Sequence, residues 1–102
     1  MNGEALARRI YCAYENRVEI TFDPEKDHAN VDKHGLSLAD FAGFDRPLVA
    51  LRDDRRDYGE TRYRAFGRID GVPHMVAFTF DGGTLRLISF RRAHEKEIRR
   101  YE

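Results

Sequence analysis

Residues 61–90 read TRYRAFGRIDGVPHMVAFTFDGGTLRLISF. Two turn signals, Asp70-Gly71 and Asp81-Gly82-Gly83, divide this stretch into three segments in which apolar and polar residues alternate. An Asp-Gly pair between alternating segments is a strong hairpin signal, because the type I′ turn takes positive φ at both central residues. Strands are therefore expected over 61–69, 73–80 and 84–90, each antiparallel to the next.

Upstream, residues 48–52 form a fourth strand, joined to the 61–69 strand by the polar loop 53–59. Val18-Glu19-Ile20-Thr21-Phe22 alternates with period two and reads as an earlier strand. Asp23 followed by Pro24 is a helix start, and Gly35 after His34 is a stop. Ser37-Leu38-Ala39-Asp40 resembles a capping box with a shorter acid, opening a second short helix through about Ala42. Downstream, residues 93–101 make a closing helix, with Glu95 and Arg99 at the four-residue spacing of a helical ion pair. The fold class is α+β: an N-terminal strand and two helices, an antiparallel sheet of about four strands, and a C-terminal helix. Residues 1–17, with Leu6, Ile10, Ala13 and Tyr14 at helical spacing, read as an N-terminal extension to a domain spanning 18–102.

At 102 residues the chain has room for one core. No apolar run approaches the roughly 20 residues that span a bilayer, and the N-terminus lacks the pattern of a signal peptide. A lone cysteine, Cys12, excludes an internal disulfide and a zinc site. A cytoplasmic location is the expectation. Net charge is zero, which argues against a protein that coats nucleic acid. Its distribution is uneven: residues 18–57 hold six Lys/Arg against ten Asp/Glu, whereas residues 84–102 hold six against three. Such asymmetry points to a localised anion site or an oppositely charged partner.

Alternation also predicts which cations converge. Arg62, Arg64 and Arg68 share one face of their strand, with Tyr63, Ala65 and Ile69 on the other. In the last strand Arg86 and Arg92 share a parity with Ile88 and Phe90, while Arg91 falls with Leu85, Leu87 and Ser89. Strict parity leaves the choice between Arg91 and Arg92 open.

Arginine is a permanent cation whose planar fork matches phosphate oxygens, so several on neighbouring strands point to a phosphodiester. Metal-free RNA cleavage needs a base for the 2′-hydroxyl, cations for the phosphorane and an acid for the departing 5′-oxygen. The groups available for proton transfer are His34, Glu60, Glu97, Tyr101 and His94; His34 has the most suitable ordinary pKa, although a histidine there also offsets the helix dipole. Glu60 is either a proton-transfer group or a partner holding an arginine in place. Tyr101 is either catalytic or a packing residue of the last helix. Asp23, His28 and Asp32 have no ligand spacing, and no phosphate-cradling glycine loop is present.

From about Val18 to Glu102 the chain resembles the BrnT family, toxins of type II toxin–antitoxin systems related in fold to RelE and ParE. The matching pieces are Phe22-Asp23-Pro24, Lys26, Asn30-Val31-x-Lys33-His34-Gly35-Leu36-Ser37-Leu38, Asp45-x-Pro47-Leu48, Gly59-Glu60-x-Arg62, Gly67, Gly71, Arg86-x-Ile88-Ser89-x-Arg91-Arg92-Ala93, Glu97 and Tyr101. The resemblance implies a ribonuclease that inhibits translation, needs no cofactor and is neutralised by a BrnA-type antitoxin with a ribbon-helix-helix segment. Operator DNA would be met only through that antitoxin, and no membrane is involved. Carried over by position, Arg62, Arg64, Arg91 and Arg92 become phosphate contacts of the catalytic site. His34, Glu60 and Tyr101 become proton-transfer or supporting residues, and Arg86 and Lys33 substrate-binding ones. Two positions depart from the pattern: Asp81 stands where a basic residue is usual, and Phe90 where a smaller one is. Asp81 would weaken the potential at a nearby phosphate. The competing expectations are a catalytically weak homologue acting as the antitoxin's corepressor, and a ParE-like gyrase inhibitor.

Overall fold

In chain order the elements are β1 (Glu19–Phe22), α1 (Pro24–His34), a 3₁₀ turn (Leu38–Asp40), β2 (Arg46–Arg52), β3 (Tyr63–Ile69), β4 (Val72–Asp81), β5 (Thr84–Arg92) and α2 (Glu95–Arg99). The structure, a computed structural model, describes residues 19–81 and 83–102. The extension expected over 1–17 lies outside the described residues, as does the side chain of Asp81.

Local chemistry shapes these elements as the sequence leads one to expect. Asp70 and Gly71 take φ of 52° and 78°, the type I′ geometry whose twist matches the strands it joins. Asp23 caps α1 by accepting the Glu25 N–H at 2.8 Å, and Gly35 ends it at φ 72° with its N–H on the Val31 carbonyl. The second expected helix is only a 3₁₀ turn. Its entry is held by Asp27 of α1, which accepts both the Ser37 hydroxyl (3.0 Å) and the Leu38 N–H (2.7 Å). An acid on the neighbouring helix thus takes the place of a capping-box acid within the turn.

The sheet has five strands rather than about four, in the order β1-β5-β4-β3-β2, and it is mixed. Each neighbouring pair is antiparallel except β1 with β5, where Glu19 to Phe22 run parallel to Thr84 to Leu87. A parallel pair needs a long crossover, and here the intervening domain supplies it. Hairpin signals identify consecutive strands only, so they left β1 unplaced.

Beyond the end of β1 the edge of β5 is closed by a side chain. Asn30 is buried; its Oδ1 accepts the Phe90 N–H at 3.0 Å and its Nδ2 donates to the Phe90 carbonyl at 2.8 Å. The same Nδ2 donates to the Leu36 carbonyl at 2.7 Å. The amide stands in for a strand residue and ties α1, its exit and β5 together.

Register between β4 and β5 shifts once. Phe78 faces Leu87 but Ala77 faces Ser89, leaving Ile88 as the extra residue of a bulge. Leu85, Leu87 and Phe90 consequently all reach the main core. That core lies on one face of the sheet, with Val76, Phe78 and Ala65, beneath Leu38, Phe41 and Phe44 from the 3₁₀ segment. Phe90 fits there edge-on to Phe41 and stacked on His74. On the opposite face, Ile98 of α2 packs on Phe66 and Met75, with Tyr101 beside them. This second cluster covers only part of its face.

Candidate functional site

The bulge decides which arginine enters the site. Past Ile88 the parity of β5 is reversed, so Arg91 opposes Met75 while Arg92 opposes His74 on the core face. Arg91 joins Arg62, Arg64, Met75, Ala77, Ile88 and Ser89 around a cavity of about 260 Å³. Lys33 and His34 enter from the end of α1, and Asp53, Arg55 and Tyr58 from the loop after β2. Four arginines, one lysine and one carboxylate therefore line a single hollow.

Arg55, Arg62 and Arg91 are each positioned by an acid. Arg91 meets Glu97 in a bidentate pair, both bonds at 3.1 Å. Arg62 donates to Glu60 at 3.1 Å, and its guanidinium lies 4.3 Å from the centroid of the Tyr58 ring. Arg64 is different: its Nε is buried with no hydrogen-bond partner among the described residues, and Phe66 is its aromatic neighbour. A buried donor of this kind costs stability unless a ligand completes it.

Asp53 organises the loop. It is buried, accepts Arg55 Nε and Nη2 at 2.8 Å each, and accepts the Tyr58 hydroxyl at 3.2 Å. Its N–H donates to the Arg62 carbonyl at 2.7 Å, closing the loop at its base. These bonds from Arg55 hold the Asp53 carboxyl well below the usual range despite its burial.

Glu97 is likewise depressed, to about 2, chiefly by Arg91 and then by the His94 N–H. His34 shifts downward from 6.5; burial is the larger cause, followed by the charges of Lys33 and Arg91. A half-buried imidazole among cations is therefore neutral at pH 7 and able to accept a proton.

The remaining sequence candidates stand elsewhere. Arg92 is exposed on the core side of β5. Tyr101 packs against Phe66 with ring centroids 5.3 Å apart. Arg86 lies on the same face as the cavity but lines a separate hollow, together with Glu60. Arg68, grouped by parity with Arg62 and Arg64, is taken by Glu95 (2.9 Å) and Glu102 (2.7 Å), which dock α2. Glu95 thus turns chiefly to Arg68 rather than to Arg99. Arg55, Tyr58 and Asp53 escaped the sequence reading, because a polar loop carries no periodicity to say where its side chains point. Among the described residues no three His, Cys, Asp or Glu side chains gather as a metal site.

Comparison with known proteins gives the same direction. A family model described as "Ribonuclease toxin, BrnT, of type II toxin-antitoxin system" matches residues 22–97. The crystal structure of the ribonuclease toxin BrnT from Brucella abortus is similar at 31% identity and a TM-score of 0.58. That likeness covers 76% of this chain and 99% of the other. A comparison with curated proteins gives no match.

Proposed function

The chain belongs to the BrnT family, ribonuclease toxins of type II toxin–antitoxin systems, and on that premise we propose that it is a metal-independent endoribonuclease. The supporting observation is the convergence of Arg62, Arg64 and Arg91 with a neutral His34 in one cavity.

In this reading a scissile phosphate sits among the three guanidinium groups, with its non-bridging oxygen completing the buried Nε of Arg64. His34 takes the proton of the 2′-hydroxyl as the new oxygen–phosphorus bond forms. The arginines absorb the charge of the phosphorane, and because acids already fix Arg62 and Arg91, little reorganisation of those two remains at that moment. The bond to the 5′-oxygen then breaks, and that oxygen takes its proton from the imidazolium or from solvent. Glu97 is no donor at neutral pH, since Arg91 keeps its carboxyl near 2. Glu60 is a positioning partner of Arg62, and Lys33 adds positive potential beside His34. Tyr101 and Arg92 stand outside the cavity and are assigned supporting roles.

The same premise carries the cellular role. RNA cleavage inhibits translation in the cytoplasm, and a BrnA-type ribbon-helix-helix antitoxin neutralises it and brings the complex to operator DNA. Kinship in fold to RelE and ParE belongs to this reading, supported by the antiparallel β2–β5 sheet with the C-terminal helix packed on one face. The described residues contain no helix long and apolar enough to cross a membrane.

Purified protein incubated with single-stranded RNA in EDTA is expected to leave 2′,3′-cyclic phosphate ends. No cleavage by the wild type, or equal cleavage by an Arg64→Ala/Arg91→Ala double variant, rejects the proposal. Expression without antitoxin that leaves growth untouched would favour a corepressor instead.

A further inference from the structure

A second cavity lies on the same open face of the sheet, and the cleavage reading does not use it. Its volume is about 470 Å³, and its lining includes Thr21, Thr61, Thr79, Thr84, Glu60 and Arg86.

Register shows how the two hollows are related. Thr21 stands opposite Arg86 in the parallel pair, and Arg86 opposite Thr79 in the antiparallel one. Thr79 is two residues along β4 from Ala77, which lines the first cavity and faces Arg64. Side chains two residues apart share a face, so the hollows lie side by side. From Arg64 to Arg86 is two strands across, about 10 Å, and one side-chain repeat along, about 7 Å. A ligand that reaches both must be extended.

The lining chemistry narrows that ligand. Four threonine hydroxyls donate and accept without adding charge. Arg86 is exposed and makes no ion pair among the described residues, whereas Arg62 and Arg91 are each held by an acid. Hydroxyls beside one free guanidinium suit a sugar and a single phosphate, and Glu60 at the wall disfavours a densely anionic partner.

We propose that this threonine-lined hollow is a second nucleotide subsite. Single-stranded RNA with its scissile phosphate among Arg62, Arg64 and Arg91 continues across the sheet. Arg86 takes a neighbouring phosphate, and Thr21, Thr79 and Thr84 face the adjoining sugar. This rests on the reading of the first cavity as the cleavage site, yet it makes a separate prediction about binding.

The test is fluorescence anisotropy with labelled 2′-fluoro oligoribonucleotides, which lack the attacking hydroxyl, two and ten nucleotides long; the dimer has a single phosphate and cannot fill both sites. Wild type and Arg86→Ala are titrated at several salt concentrations. For the ten-mer, Arg86→Ala is expected to raise Kd about fivefold and to lower the slope of log K against log salt by about 0.7, the loss of one phosphate contact. The dimer should bind both proteins alike. Thr79→Val should weaken the ten-mer about twofold without altering the slope. An unchanged ten-mer slope, or equal weakening of dimer and ten-mer, overturns the subsite while leaving the nuclease reading intact. Length-dependent binding of the expected kind by a protein that cleaves nothing supports the subsite and rejects the nuclease. Binding of neither oligonucleotide overturns both.

Discussion

Arg91 and Glu97 meet fork to fork, Nη1 to Oε1 and Nη2 to Oε2, while Glu97 also accepts the His94 N–H at 3.0 Å. One carboxylate therefore fixes both an arginine of the cavity and the first turn of α2. Its folded-state value of about 2 lies below the ordinary 4.5. Such a group adds stability that is complete above 4.5 and disappears as pH falls through 2. Side-chain exposure of 31% leaves the pair partly screened, so about 2 kcal/mol is expected. Urea unfolding of wild type should show this decline between pH 4.5 and 2, and Glu97→Gln should be flatter across that window.

His34 titrates below 6.5 because of burial, Lys33 and Arg91. As a base it works unprotonated, so log(kcat/KM) for RNA cleavage should rise with pH and level off at an inflection under 6.5. Lys33→Ala should move that inflection upward by removing a neighbouring charge. His34→Gln should lower kcat by about 10²- to 10⁴-fold. An inflection that ignores Lys33→Ala would count against His34 as the titrating group.

The three arginines should not be equivalent to their neighbour. Arg64→Ala is expected to reduce kcat about 10²- to 10³-fold, the range for one lost donor to a transition-state oxygen. Arg92→Ala should stay within about threefold of wild type, since its register places it on the other face. Steady-state cleavage of a labelled RNA compares the two.

Much of this is legible in the sequence. The hairpins are, since turn chemistry is local: Asp70-Gly71 dictates its own geometry. The ends of α1 are legible for the same reason, through Asp23, Pro24 and Gly35. Alternation also put Arg62 and Arg64 on one face. Hidden were features set by distant partners. β1 gains its place only by pairing with a strand some 65 residues later. The Ile88 bulge depends on both halves of β5 satisfying one core, and it alone distinguishes Arg91 from Arg92. Arg68 shared the right parity but lost its availability to Glu95 and Glu102, which only the docking of α2 brings near.

Asn30 should prove more important to the fold than its polarity implies. Asn30→Leu removes three hydrogen bonds and strands the N–H and carbonyl of Phe90 without partners. A cost of about 3 kcal/mol is expected. For a domain of this size that lowers Tm by more than about 10 °C, measurable by circular dichroism. A shift under about 3 °C would show that water replaces the amide.

Core packing sets a second benchmark. Phe78 is fully buried and stacks on Tyr63, with ring centroids 5.7 Å apart. Phe78→Ala should cost about 3–5 kcal/mol, leaving little folded protein at 37 °C. Tyr101→Phe keeps the ring on Phe66 and should leave both Tm and cleavage nearly unchanged.

The extra residue at Ile88 divides β5 into two lengths whose phases are set separately, the first by Leu85 and Leu87, the second by Phe90. A tandem Arg91-Arg92 follows directly. Should the strand slip by one position beyond the bulge, the second arginine would swing into the cleft as the first left it. Correct seating of Phe90 is therefore also what gives the cleft its first arginine and withholds the second.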